Sequence, residues 1–219
     1  MLGRKTRILI VDDHPLYRES LAQFVARESD LEVCGQCGSA EEALRLIESL
    51  RPDLVTVDIS LKDSSGLDLI KSAKARHEDV KIIALSMFDE GLYAERILQV
   101  GARGYVMKEE AVSGILAAIR RVMDGKVHLS EAMTERMMIK KAEGVPEDVP
   151  SIQTLSDREL EVFQFIGEGV ASSQIAKQLH LSVKTVETYR ANIKTKLHLK
   201  NNMELIRHAV QWVENGKTH

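Results

Sequence analysis

Five short apolar runs, each followed by a segment of helical periodicity, fill the first 124 residues of the chain. The predicted strands are Thr6–Val11, Leu31–Gln36, Asp53–Val57, Val80–Leu85 and Arg103–Val106. The predicted helices are Pro15–Arg27, Ala40–Leu50, Leu67–Arg76, Asp89–Val100 and Ala111–Asp124. Parallel strands need helical crossovers that return over the sheet. The alternation therefore predicts an α/β domain with a doubly wound, five-stranded parallel sheet.

The sequence changes character after residue 124. A helix is predicted over residues 130–142, whereas residues 144–150 contain a glycine and two prolines and indicate a linker. Four helical patterns then follow: Ser156–Glu168, Ser172–Leu179, Val183–Leu197 and Asn201–Asn215. They predict an all-α domain, and the tight turn at residues 180–182 is typical of a helix-turn-helix. We therefore assign residues 1–124 to a first domain, residues 125–150 to a linker and residues 151–219 to a second domain.

The two predicted domains differ in charge. Residues 1–150 carry 21 Lys/Arg against 26 Asp/Glu, whereas residues 151–219 carry nine against seven. An acidic domain is therefore joined to a basic one. No apolar run approaches the roughly 20 residues that span a bilayer, and the N-terminus lacks a signal-peptide cleavage pattern. We expect a cytoplasmic protein that does not associate with membranes.

Two cysteines, Cys34 and Cys37, form a C-x-x-C pair that allows a redox or zinc site. Their odd spacing on a predicted strand places the side chains on opposite faces of the sheet, and no second Cys/His pair lies near in sequence. The sequence therefore favours two small core residues over a functional dithiol.

Charged residues stand at the ends of three predicted strands. Asp12 and Asp13 close the first apolar run, Asp58 closes the third and Lys108 follows the fifth. The carboxyl ends of parallel strands open onto one edge of the sheet, so these side chains are expected to converge there. Three facing carboxylates repel one another unless a cation lies among them. The pattern predicts a site for a hard divalent ion, Mg²⁺, with one carboxylate able to react.

Five separated motifs resemble the receiver domain of two-component response regulators, which has a flavodoxin-like fold. They are Val11-Asp12-Asp13-His14-Pro15, Val57-Asp58-Ile59-Ser60, Gly66, Ala84-Leu85-Ser86 and Gly104-Tyr105-Val106-Met107-Lys108. The resemblance covers residues 6–124. One departure is Leu61-Lys62, which stands where many receivers carry Met-Pro.

The resemblance implies a role for each residue of the pocket. Asp58 would be the nucleophile that takes a phosphoryl group from a phosphohistidine. Asp13 would bind Mg²⁺ directly, Asp12 largely through water, and the Ser60 carbonyl oxygen would complete the protein ligands.

Three further residues of the receiver motifs would respond to the phosphoryl group. Lys108 would offset its charge, and Ser86 would donate a hydrogen bond to one of its oxygens. Tyr105 would then turn inward and pass the change to the face built from the fourth helix, the fifth strand and the fifth helix.

The second domain resembles the LuxR-type helix-turn-helix, and with the receiver it is similar to response regulators of the NarL/FixJ class. The motifs are Leu155–Val162, Gln174-Ile175-Ala176, Leu181–Tyr189, Ile193 and Lys196-Leu197. Independently of the resemblance, an apolar stripe through Val186, Ile193 and Leu197 leaves the opposite face of the third helix polar. That face suits a major groove flanked by phosphates.

We expect this helix and its flanks to contact DNA. The candidate residues are Lys184, Thr185, Glu187, Thr188, Arg190, Ala191, Lys194, Lys196 and Lys200. Glu187, Thr188 and Ala191 lie on the outward stripe and are expected to read bases. Lys184 is expected to contact phosphate or guanine, and the other cations are expected to contact phosphates.

The sequence thus predicts a transcriptional regulator, not an enzyme, that a sensor histidine kinase phosphorylates on Asp58. Phosphorylation would promote a homodimer that binds promoter half-sites in double-stranded DNA. One alternative is a constitutive DNA-binding regulator that uses its receiver only as a dimerisation scaffold. Another is a phosphatase or phosphotransferase with Asp58 as a transient nucleophile, which would have no need of a groove-reading helix.

Overall fold

The computed structural model describes residues 4–62, 65–88, 90–109, 112–143 and 152–217. The chain divides into two compact units, residues 1–133 and 134–219. The division lies inside the segment that we assigned as a linker, and residues 144–150 of that segment lie outside the described residues. Each unit is described separately below.

The first unit contains a parallel five-stranded sheet. Its strands are β1 (Thr6–Val11), β2 (Leu31–Cys37), β3 (Leu54–Asp58), β4 (Lys81–Ser86) and β5 (Gly104–Met107). Their spatial order is β2-β1-β3-β4-β5, and every neighbouring pair is parallel. The predicted fold class is therefore confirmed. Ile8 to Val11 are fully buried, because helices cover both faces of a doubly wound sheet.

Five helices alternate with these strands. They are α1 (Pro15–Ala26), α2 (Ala40–Leu50), α3 (Gly66–Arg76), α4 (Glu90–Gln99) and α5 (Val112–Met123). Pro15 begins α1, where its missing N–H costs nothing. The side chain of Ser39 accepts a hydrogen bond from the backbone N–H of Glu42 and so caps α2.

A bulge in β2 changes the setting of the two cysteines. Ile8 is paired with Val33 but Leu9 with Gly35, so Cys34 is the extra residue. Cys34 is half-buried and Cys37 is buried, and both are free thiols. Burial raises the pKa of Cys37 to about 12, and that of Cys34 is raised for the same reason. Since the reactive species is the thiolate, these settings favour packing over redox chemistry.

The helix α6 (Glu131–Glu143) follows the sheet. The side chain of Ser130 accepts a hydrogen bond from the N–H of Met133 at 3.1 Å, which caps the first turn. The predicted helix over residues 130–142 is therefore present with its ends moved by one residue.

The second unit is helical in its described part. A short 3₁₀ turn at Ile152–Thr154 precedes α7 (Asp157–Gly167), α8 (Ser172–Gln178), α9 (Val183–Lys196) and α10 (Asn202–Lys217). Helix α7 packs closely on α10, and a Cβ on Gly167 would lie 2.4 Å from the carbonyl oxygen of Ala209. Only glycine allows this approach of the two helices.

Candidate functional site

Three buried carboxylates meet at the carboxyl edge of the sheet. Asp12 and Asp13 follow β1, and Asp58 is the last residue of β3. Their exposed fractions are 0%, 7% and 1%. Together with His14 they place one potential metal-ligand atom each within 4.8 Å of one another. The parallel strands thus bring together residues that are 46 positions apart, as expected.

Lys108 supplies a buried cation to this cluster, here called the acidic pocket (Asp12, Asp13, His14, Asp58 and Lys108). Its ammonium lies 2.7 Å from Asp12 Oδ2 and 2.7 Å from Asp58 Oδ2, and its side chain is only 4% exposed. Burial alone would lower the pKa of Lys108, but the carboxylates of Asp58 and Asp12 outweigh burial and raise it. Lys108 is therefore a fixed positive charge between two carboxylates.

Each carboxylate oxygen of Asp58 accepts a hydrogen bond. The backbone N–H of Ser60 donates to Oδ1 at 3.0 Å, and the Lys108 ammonium donates to Oδ2 at 2.7 Å. Burial raises the pKa of Asp58, Asp12 raises it further and Lys108 opposes both. The carboxylate is thus oriented by its neighbours and sits in a setting that penalises added negative charge.

Asp13 differs from Asp58 in its bonding. Both of its oxygens are buried, and neither accepts a hydrogen bond from any residue that the structure describes. Lys62 lies 3.6 Å from Oδ2 and His14 Nδ1 lies 3.0 Å from Oδ1. Buried, unbonded carboxylate oxygens are costly unless a cation coordinates them. The donor set, all oxygen apart from His14, therefore fits a hard divalent cation.

Gly66 shows why the loop after Asp58 needs a glycine at its end. A Cβ at this position would lie 2.2 Å from the carbonyl oxygen of Asp58 and 2.6 Å from Cα of Ile59. The N–H of Gly66 also donates to the Ile59 carbonyl at 3.0 Å. The start of α3 is therefore packed directly on the backbone that carries Asp58.

The two predicted switch residues lie beside one another in the strand order. The hydroxyl of Ser86 is buried at the end of β4 and accepts a hydrogen bond from the N–H of Phe88 at 2.9 Å. Tyr105 on β5 is 1% exposed and donates from its hydroxyl to the Phe88 carbonyl at 2.7 Å. We expected Tyr105 to turn inward in response to phosphorylation, and this structure already holds it in the inward position.

Helix α9 presents the predicted DNA-contacting residues in the second unit. Its inner face buries Val186 and Ile193, and Ser182 caps its start by accepting from the N–H of Thr185 at 3.0 Å. Five of the nine predicted DNA contacts are solvent-accessible on α9 or its flank, and none of the five forms an ion pair with a described residue. They are Lys184, Thr185, Thr188, Ala191 and Lys200.

Four of the predicted contacts are instead tied to their own unit. Glu187 Oε1 accepts from the Ser172 hydroxyl at 2.7 Å, and Arg190, whose side chain is 14% exposed, donates to the same hydroxyl at 3.3 Å. Lys194 donates to Asn202 Oδ1 at 2.9 Å. Lys196 donates to the buried carboxylate of Glu159 at 2.6 Å. These side chains hold α9 against its neighbours as well as lying on the predicted DNA face.

Family models match both units of this chain. The model of the response regulator receiver domain matches residues 8–120, and the model of bacterial regulatory proteins of the luxR family matches residues 153–209. The chain belongs to the LuxR-type response regulators. This is a family of two-component transcriptional regulators and not of enzymes, as the sequence motifs indicated.

Relatives match along nearly the whole chain. Response regulator GacA of Pseudomonas viridiflava is 33% identical over 205 residues, which cover 94% of this chain and 95% of that protein. Oxygen regulatory protein NreC of Staphylococcus epidermidis is 31% identical over 211 residues, which cover 94% and 97%. RcsB of Salmonella enterica serovar Typhimurium, in a structure bound to promoter rprA in the presence of the phosphomimetic BeF₃⁻, has a TM-score of 0.61. That match is 23% identical, covers 94% of this chain and 99% of RcsB, and shows a shared fold.

Some contacts of this response regulator were not predicted from its sequence. Glu159 lies in the LuxR-type motif Leu155–Val162, but its hydrogen bond with Lys196 joins residues that are 37 positions apart and was not predicted. Glu90 and Ser130, which are hydrogen-bonded across 40 positions, carried no motif. His14 stood inside a receiver motif without an assigned role.

No helix of the described residues is long and apolar enough to cross a membrane.

The bond between Lys196 and Glu159 gives a prediction that separates folding from DNA contact. Lys196→Ala should destabilise the second unit by about 1 kcal/mol, because it removes the cation that faces a nearly buried carboxylate. The pKa of Glu159 is lowered, since the bonds from Lys196 and Ser156 outweigh burial. The contribution of Glu159 to the free energy of unfolding is therefore fully present at pH values above the ordinary pKa of a glutamate. It is lost as the pH falls through the pKa of Glu159 in the folded protein. Urea denaturation between neutral and acidic pH measures both effects.

Lys184→Ala is the matched variant, because Lys184 is exposed at the start of α9. It should leave the free energy of unfolding unchanged while lowering the salt slope of binding to a random-sequence duplex by about one. Wild-type stability in Lys196→Ala, together with a salt slope reduced to the same degree as in Lys184→Ala, would show that Lys196 acts only as a phosphate contact.

Proposed function

We propose that this response regulator takes a phosphoryl group onto Asp58 from the phosphohistidine of a sensor histidine kinase. Phosphorylation would then promote a homodimer whose α9 helices bind promoter half-sites in double-stranded DNA. The observation that carries the proposal is the buried Asp58 carboxylate, which accepts hydrogen bonds from Lys108 and Ser60, beside an Asp13 carboxylate that accepts none from the described residues.

The transfer is a displacement at phosphorus. A carboxylate oxygen of Asp58 forms the new P–O bond while the P–N bond of the phosphohistidine breaks, and the released histidine nitrogen keeps the bonding electron pair and takes up a proton. The product is an acyl phosphate. Such a step needs positioning and charge neutralisation more than a strong nucleophile, and the bonds to Asp58 supply the positioning.

Mg²⁺ would be held by Asp13 and Asp58, with Asp12 bonded through water and Ser60 offering its carbonyl oxygen. Bound there, the ion would neutralise charge on the transferred phosphoryl oxygens. Lys108 would stay close to the modified side chain and offset its extra charge. Ser86 would exchange its bond to the Phe88 N–H for one that its hydroxyl donates to the phosphoryl group.

A hydrogen-bonded route leads from this site toward α6. Tyr105 donates from its hydroxyl to the Phe88 carbonyl and from its backbone N–H to the His128 carbonyl at 3.0 Å. Glu90, the first residue of α4, is 8% exposed and accepts from the Ser130 N–H at 2.9 Å. Ser130 in turn caps α6. We infer that a shift of Ser86 and the start of α4 would reach α6 through Tyr105 and Glu90.

The scaffold alternative uses the same fold without the chemistry. A receiver that only dimerises would not need a buried lysine between two carboxylates, nor beside them a buried Asp13 that accepts no hydrogen bond from the described residues. Burying such charges costs stability, and that cost is explained most simply by a function at the pocket. We therefore place phosphorylation ahead of constitutive DNA binding.

Acetyl phosphate tests the acceptor directly. Wild type should gain one phosphoryl group in the presence of Mg²⁺ or Mn²⁺ and none in the presence of EDTA, because the acidic pocket needs a cation to accept a dianionic group. Intact-mass spectrometry measures the yield. Asp58→Asn should gain none, whereas Asp79→Asn, an exposed site on another loop, should label as wild type does. Equal labelling of Asp58→Asn and wild type would remove Asp58 as the acceptor.

The route through Glu90 is tested by a pair of variants. Glu90→Ala should leave the labelling of Asp58 unchanged but reduce the gain in DNA affinity on phosphorylation to about twofold or less, because α4 loses its bond to the start of α6. Glu90→Gln keeps an oxygen that can accept from the Ser130 N–H and should retain the gain. Anisotropy titrations use a duplex selected from a randomised library by the phosphorylated wild type. A full gain in Glu90→Ala would rule out this route.

A further inference from the structure

We propose that His14 is an additional metal ligand of the acidic pocket and gives it a preference for a transition-metal dication such as Mn²⁺ over Mg²⁺. The inference rests on the proposed metal site of the preceding section and names the ion class that this particular pocket takes. Its basis is the position of one ring nitrogen among three carboxylates.

His14 Nδ1 faces every carboxylate of the pocket. It lies 3.0 Å from Asp13 Oδ1, 3.4 Å from Asp12 Oδ1 and 3.8 Å from Asp58 Oδ2. The four ligand atoms lie within 4.8 Å of one another, a span that one ion with bonds of about 2.0–2.3 Å can bridge after small side-chain shifts.

The contact with Asp13 is not a hydrogen bond. Neither buried oxygen of Asp13 accepts a hydrogen bond from the described residues, although His14 Nδ1 is 3.0 Å away. The Asp13 side chain is 4% exposed. An unbonded buried carboxylate and an imidazole nitrogen that lie side by side are the arrangement that a shared cation would complete.

The backbone of His14 is held beside the pocket. The N–H of His14 donates to Asp12 Oδ1 at 2.8 Å, and His14 is in the extended conformation that a following proline requires. Pro15 begins α1 immediately afterwards. His14 is also 59% exposed at its side chain while the carboxylates are buried, so the ring stands at the solvent side of the pocket, where an ion would enter.

The ligand chemistry sets the preference. Mg²⁺ favours six oxygen ligands, several of them water, and gains little from an imidazole. Imidazole nitrogen suits the later first-row dications best, and affinity for such sites rises from Mn²⁺, the weakest binder of the series, to Cu²⁺. Mn²⁺ is the member of that series whose oxygen preference is nearest to that of Mg²⁺, so it gives the strictest comparison. In a pocket with three carboxylates and one reachable imidazole, the imidazole therefore adds more affinity for a transition metal than for Mg²⁺. Removal of the imidazole should reduce the affinity for Mn²⁺ and leave that for Mg²⁺ nearly unchanged.

Electron paramagnetic resonance on the full chain tests this. Mn²⁺ added to wild type should show spin-echo modulation from a directly bound ¹⁴N, and His14→Asn should lose that modulation and bind Mn²⁺ roughly tenfold more weakly. Mg²⁺ affinity, measured by competition against Mn²⁺ in each variant, should change by less than about twofold. His180→Asn, in the second unit, is the control and should match wild type in both measurements.

The outcomes separate this inference from the proposed function. Mn²⁺ that binds wild type without ¹⁴N modulation, or His14→Asn that binds Mn²⁺ as wild type does, overturns the role of His14 and leaves the pocket intact. Equal losses of Mn²⁺ and Mg²⁺ affinity in His14→Asn also overturn the preference. Failure of both ions to bind wild type, or Mn²⁺ affinity that Asp13→Asn leaves unchanged, contradicts the proposed metal site itself.

Discussion

The ammonium of Lys108 between Asp12 and Asp58 is the interaction on which the first unit depends. Removing carboxylates from water is costly, and one buried cation at 2.7 Å from each of two of them offsets only part of that cost. The pocket is therefore short of positive charge, and Asp13 is left without a hydrogen bond from the described residues. A site in this condition responds strongly to a divalent ion and to a phosphoryl group, because each changes the balance of charge.

The surrounding residues connect the acidic pocket to α3 and to the segment before α6. Gly66 packs the start of α3 on the backbone of Asp58, so α3 cannot shift toward Asp58 without a clash. On the other side, Ser86 and Tyr105 both bond to Phe88, and Tyr105 also bonds to His128. A shift of Ser86 at the end of β4 would therefore move Phe88 and Tyr105, and Tyr105 is hydrogen-bonded to His128 in the segment before α6. Interiors packed in this way pass on small shifts rather than absorbing them.

Local pattern predicted most of the fold and the residues of the pocket. The strands β3 and β4 are nearly continuous apolar runs because both of their faces are covered. Parallel topology then places Asp12, Asp58 and Lys108 at one edge of the sheet. The bulge at Cys34 could not be predicted, since it arises from the pairing of β2 with β1. The bonds from Lys196 to Glu159 and from Ser130 to Glu90 likewise depend on tertiary packing. They leave no periodic signal in the sequence.

Charge added at Asp58 is proposed to change DNA binding by α9. The direct measurement is the dissociation constant of the full chain for a duplex selected from a randomised library, at fixed salt, before and after treatment with acetyl phosphate and Mg²⁺. Wild type should bind roughly tenfold more tightly after treatment and should sediment increasingly as a dimer, whereas Asp58→Asn should do neither. Equal dissociation constants for treated and untreated wild type, with Asp58 shown to be labelled, would contradict it and favour a receiver that serves only as a scaffold.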